Sequence, residues 1–119
     1  MNQEQLKARF KNFALRIIKL ARALPKIYEG NAISGQLLRC GTSSAANYRA
    51  ACRGRSKPDF IAKLGIVEEE LDESMFWMEI IIESDMMKKE LVIDLYNETN
   101  ELLSIIIKSK ITARNNKNN

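Results

Sequence analysis

Residues 56–83 read SKPDFIAKLGIVEEELDESMFWMEIIIE, and this stretch decides the fold class. Ser56 is placed to cap a helix, Pro58 suits a first turn, and Asp59 favours the positive helix end. Phe60, Leu64, Val67, Leu71, Met75, Met78 and Ile82 then recur at helical spacing, a core stripe over about six turns. A second apolar arc, made by Ala62, Ile66, Phe76, Trp77 and Ile80, lies nearly opposite the first and is interrupted by Glu69 and Glu73. One bundle core cannot bury both arcs, and exposed apolar area of this kind marks an interface. The expectation is a homo-oligomer whose contact includes Ile66, Phe76, Trp77 and Ile80, with Trp77 as anchor because aromatics dominate interface energetics. The competing reading is that Trp77 covers a helix end in a monomer.

Working outward, three more segments carry the same periodicity. Leu6, Phe10, Phe13, Ile17, Leu20, Ala21 and Leu24 fall within an arc of about 100° on a first helix. The segment from about Asn31 to Arg53 has helical spacing but a middle of Gly41-Thr42-Ser43-Ser44, residues that weaken a helix unless neighbouring backbones approach closely. The fourth carries Val92, Leu95, Tyr96, Thr99, Leu102, Leu103 and Ile106. Breaks fall at Tyr28-Glu29-Gly30-Asn31 after Pro25, at Gly54 to Pro58, and at Ser84-Asp85. The prediction is therefore all-α: an up-down-up-down antiparallel four-helix bundle, with helices at about 3–24, 31–53, 57–84 and 88–112. The polar run over 115–119 is expected to be a disordered tail.

Composition agrees and excludes much chemistry. A chain of 119 residues, 45% hydrophobic and 29% charged, fits one globular domain. Five glycines and two prolines are too few for the frequent turns of an all-β protein. With no histidine, Ser-His-Asp and Cys-His nucleophile systems, His-ligated zinc and imidazole bases all disappear. The acids of the third and fourth segments mostly fall opposite the core stripes and cannot converge inside a bundle. No catalytic residues, metal or cofactor are expected, and the protein reads as a non-enzyme. Cys40 and Cys52 lie about 18 Å apart along one helix, too far for a disulfide. The charged N-terminal segment is unlike a signal peptide, and no run of eighteen uncharged apolar residues occurs, so a cytoplasmic protein without a membrane span is expected.

The formal charge of +4 conceals a segregation. Residues 1–57 carry +10, residues 58–87 carry −8, and the remainder +2. These halves can neutralise one another in surface pairs worth about 0 to 1 kcal/mol each. Lys19, Arg22 and Lys26 nonetheless lie opposite the core of the first helix, where they face solvent or a partner. As a nucleic-acid surface, Arg16, Lys19, Arg22 and Lys26 would neutralise phosphates, joined by Arg49, Arg53, Arg55 and Lys57 if the end of the second helix lies nearby. An acidic protein partner needs the same stripe. Glu70, at the edge of the core stripe, requires a cation if buried, and Arg49 or Arg53 is the candidate.

The runs Gly41-Thr42-Ser43-Ser44-Ala45-Ala46-Asn47-Tyr48-Arg49, Arg53-Gly54-Arg55-Ser56-Lys57-Pro58-Asp59-Phe60 and Glu68-Glu69-Glu70-Leu71-Asp72-Glu73-Ser74, then Trp77-Met78-Glu79, resemble a bacterial four-helix-bundle family. That family is encoded within intervening sequences of large-subunit ribosomal RNA genes. A related branch is the accessory protein of diversity-generating retroelements. The resemblance runs from about Phe10 to Ile107. It implies a bundle that assembles as a homopentamer, with Asn47 and an Arg49–Glu70 pair in structural roles. It also implies RNA or DNA, or a reverse transcriptase, as partners. A pure protein-interaction scaffold is the alternative function.

Overall fold

A computed structural model describes residues 1–116 as four helices: α1 (Gln3–Ala23), α2 (Tyr28–Cys52), α3 (Lys57–Glu83) and α4 (Ile93–Asn115), with a short 3-10 turn at Lys89–Leu91 before α4. Asn2 and Gln5 form a reciprocal capping box, each side chain accepting from the other's backbone N–H at 2.8 and 3.0 Å. Leu24 turns extended because Pro25 follows it. Ser56 caps α3 through the Asp59 N–H at 3.2 Å, as its sequence predicts. α3 closes with Asp85 in the left-handed region at φ 59°. The Met86 N–H reaches the Ile81 carbonyl and the Asp85 N–H that of Ile82, which is a Schellman closure.

Three boundaries differ from the sequence reading. α2 begins at Tyr28 rather than 31, because Gly30 does not break the chain. It sits inside the first turn, pressed so closely on the Pro25 carbonyl that a Cβ would collide with it. The fourth helix starts at Ile93 rather than 88, since Lys88 is extended and the 3-10 turn intervenes. It also runs on through Asn115, so the predicted tail begins inside the helix; residues 117–119 lie outside the described residues.

The buried positions follow a heptad spacing: 6-10-13-17-20 on α1, continued by Leu24 and flanked by Ala21, 64-67-71-74-78-81 on α3, and 95-99-102-106 on α4, preceded by Val92. That period of 3.5 is the left-handed bundle seam. On α3 it places Ser74 and Ile81 inward where a 3.6-residue reading places Met75 and Ile82. The buried hydroxyls are satisfied on their own helices: Ser44 bonds the Gly41 carbonyl at 2.7 Å, Ser74 that of Glu70 at 2.8 Å and Thr99 that of Leu95 at 2.7 Å. Ser74 Oγ also meets Cys40 Sγ at 3.2 Å, joining α3 to α2 where both carry small side chains. Each fully buried Leu, Ile or Phe contributes roughly 1.5–3 kcal/mol by leaving water.

α1 packs on α2, α2 on α3 and α3 on α4, while the closing contact of α1 with α4 is slight. The result is a rod of 52 × 21 × 20 Å, with α1 and α3 at diagonal corners. One end gathers the start of α1, the α2–α3 link and the end of α4. The other gathers the α1–α2 link and the turn from α3 into α4.

Candidate functional site

Alternating helix direction converts charge segregation along the chain into polarity along the rod. At the α2–α3 end, Arg49 and Arg53 leave the last turns of α2, Arg55 sits in the link, and Lys108 and Arg114 come from the last turns of α4. All five are exposed, and none forms an ion pair among the described residues. Arg55 contributes its backbone N–H to Asp59 Oδ2 at 3.4 Å, and its charge also acts on that carboxylate without forming an ion pair. Asp59 is itself held below its ordinary carboxyl range, chiefly by Lys63 at 3.1 Å. Lys110 bonds Glu68 Oε1 at 2.5 Å, and Lys57 Nζ caps the Asn116 carbonyl. Lys108 and Arg114 were not singled out from sequence. The signal for them is topological: in an up-down bundle the end of α4 must return beside the α2–α3 link.

The eight predicted phosphate-binding residues do not form one surface. Arg16, Lys19, Arg22 and Lys26 run from the middle of the rod toward the opposite end: with Ile17 against Gly41, Arg16 stands about 17 Å and Arg22 about 25 Å along the axis from Arg53 at 1.5 Å per residue. Arg16 and Lys19 line an open cleft of about 450 Å³ between α1 and α4 that also holds Glu90 and Asp94, so their field is partly cancelled. Lys26 turns back to cap α1, donating to the Arg22 and Leu24 carbonyls at 2.6 and 3.2 Å. Further down the same seam, Arg9 grips Glu98 at 2.7 Å and Glu101 at 2.9 Å, which raises the guanidinium pKa.

The predicted Arg49–Glu70 pair is not present. Arg39 takes that place, reaching Glu70 at 3.1 Å and Glu73 at 2.6 Å. The register explains the exchange: with Cys40 opposite Ser74, Arg49 stands level with about residue 65, more than a turn below Glu70. Arg53 is farther still. Asn47 does play a local structural part, bonding the Ser43 carbonyl at 2.9 Å. Glu73 accepts a second bond from Trp77 Nε1 at 3.1 Å, and Arg39 and Trp77 together hold its carboxyl below the usual range. The four predicted interface residues share the outer face of α3. Ile66 and Phe76 are 42% and 50% exposed, while Trp77 and Ile80 are half-buried. Trp77 is braced by Glu73 and meets Phe76 edge-on at 5.0 Å, which leaves Phe76 as the protruding aromatic.

No helix among the described residues is long and apolar enough to cross a membrane. Among curated proteins, none matches the chain. A solved structure of a protein of unknown function from the S23 ribosomal protein family of Bacteroides thetaiotaomicron VPI-5482, at 1.70 Å resolution, is 32% identical. The match covers 92% of this chain and 98% of that one with a TM-score of 0.85, so the fold is shared over nearly their full lengths. The model of the 23S rRNA-intervening sequence protein family matches residues 4–108, a span that runs from the start of α1 to the middle of α4. The chain belongs to the 23S rRNA-intervening sequence protein family.

Proposed function

We propose that this protein is a non-catalytic, self-associating bundle that binds the phosphate backbone of RNA or DNA at its α2–α3 end. The observation that carries this reading is that Arg49, Arg53, Arg55, Lys108 and Arg114, five exposed cations from three elements, share one end of a rod about 20 Å across. Unpaired cations in such a cluster displace condensed counterions from phosphates, the main term in sequence-independent binding. No aromatic platform accompanies them, so the contact reads backbone and not bases. Repetition of the cluster in a homo-oligomer, pentameric by family resemblance, multiplies a weak contact through avidity. A non-catalytic role is supported by the acids: Glu98, Glu101, Glu70, Glu73 and Glu68 are committed to ion pairs between helices. Burial holds the Cys40 thiol protonated, against the nucleophilic form.

The test is titration of a labelled single-stranded RNA followed by anisotropy. Arg53→Gln/Arg55→Gln should weaken binding several-fold. Lys88→Gln/Lys89→Gln removes the same charge from the opposite end and should not. Equal loss in both double variants would show a response to net charge alone, and absence of binding at low salt would favour the protein scaffold.

A further inference from the structure

The outer face of α3 has a counterpart on the same molecule. Ile66, Glu69, Glu73, Phe76 and Ile80 recur at i, i+3, i+7, i+10 and i+14, an apolar stripe edged by carboxylates. On α1, Lys11, Leu15, Ile18 and Arg22 recur at i, i+4, i+7 and i+11, an apolar stripe edged by cations. Leu15 is 60% exposed, and no acid lies on that stripe. Beside it, Ile18, Arg22 and Leu38 help to line a groove of about 430 Å³ between α1 and α2.

The two faces also share one height on the rod. Ile17 stands against Gly41 between α1 and α2, and Cys40 meets Ser74 between α2 and α3. Ile17 and Ser74 are therefore within about a residue of the same level. On that register Lys11 is level with about residue 67 and Arg22 with about residue 78, so the α1 stripe spans the height of Ile66 to Ile80. Because α1 and α3 occupy diagonal corners, the two faces point to different sides of the protomer.

We propose that the α3 face is covered by the α1 face of a second copy, head to tail, with Phe76 entering the groove at Ile18 and Leu38. Charge complementarity selects this occupant. Glu73 is already held by Arg39, which leaves Glu69 as the unpaired carboxylate of the face: two α3 faces paired about a two-fold axis would bring two Glu69 into one contact, whereas α1 brings Lys11, level with about residue 67, beside it. A heterologous contact of this kind closes into a ring or runs on as a filament, and the shared height suits ring closure with parallel rods. This inference rests on the proposed self-association and supplies its second surface. It also removes Arg22 from the nucleic-acid surface, leaving that role to the α2–α3 end.

Sedimentation velocity on the full chain tests it with Leu15→Glu, Phe76→Glu and their mixture, each at the highest wild-type loading. Both positions are exposed, and unchanged helical dichroism confirms the fold. The expected result is an assembled wild type, a monomer for each variant alone, and a species of twice the monomer mass in the mixture, where one intact pair of faces remains. Wild-type assembly by Leu15→Glu would overturn the inference while leaving self-association standing, as would a mixture that stays monomeric. A monomeric wild type would overturn both.

Discussion

Gly41→Ala tests how closely α1 and α2 approach. A Cβ at residue 41 would stand 2.7, 2.8 and 3.0 Å from Cγ2, Cγ1 and Cδ1 of Ile17, against about 3.5–4.0 Å for ordinary carbon contacts. Ile17 has no exposed surface and sits in the core heptad, so it cannot swing away. Replacing a helical glycine with alanine contributes about 1 kcal/mol, and overpacking a core costs about 1–3 kcal/mol. The net expectation is a loss between zero and about 2 kcal/mol. Gly35 is the internal control: nothing lies within 4 Å of its Cβ position, so Gly35→Ala should gain the full helical increment of about 1 kcal/mol. Urea unfolding followed by helical dichroism, at one fixed protein concentration, reads the difference. If Gly41→Ala proves as stable as Gly35→Ala, the close α1–α2 contact is wrong. Combining Gly41→Ala with Ile17→Ala sharpens the test, because truncating Ile17 should cost less in the alanine background.

Asp85 occupies the left-handed region at φ 59°, where a non-glycine residue costs roughly 1–2 kcal/mol. Asp85→Gly should raise the thermal midpoint, and no rise would mean that the side chain supports the turn in a way its backbone does not reveal. Tyr48 stacks on Phe10 at 4.9 Å, and burial, then the neighbouring Cys52, pushes its phenol well above the ordinary range. A raised folded-state pKa contributes stability that is complete below the unfolded value near 10 and is lost as pH rises beyond it. Melting temperature should therefore fall between pH 9 and pH 11, by less in Tyr48→Phe than in the wild type; equal falls would place the alkaline sensitivity elsewhere.

Sequence periodicity carried the architecture because each core stripe is long and almost uninterrupted. All seven residues chosen on α1 are buried, and the Ser56 cap stands where its pattern places it. The errors arose where a glycine or a spacing serves packing across helices. Gly30 looked like a break but marks close contact with Pro25. On α3 the heptad took Ser74 inward in place of the larger Met75, since Cys40 and the small side chains of α2 draw the helices together. The candidate site was legible in its residue types and not in its grouping. Arg22 and Arg53 belong to one basic half of the chain, yet α2 carries them to opposite ends, and Lys108 and Arg114 join Arg53 only through topology. Similarly, pairing Glu70 with Arg39 and not Arg49 depends on an inter-helix register that one helix alone does not encode.

The central claim is that the α2–α3 end is a phosphate-binding surface, and the salt dependence of single-stranded RNA affinity measures it most directly. Five unpaired cations predict a slope of log K against log salt of about −3.5 per engaged protomer, or roughly a hundred-fold loss between 50 and 200 mM salt. Arg53→Gln/Arg55→Gln should bring the slope toward about −2, with Lys88→Gln/Lys89→Gln unchanged. An affinity that is flat across that salt range, or a slope that Arg53 and Arg55 do not alter, would contradict the account.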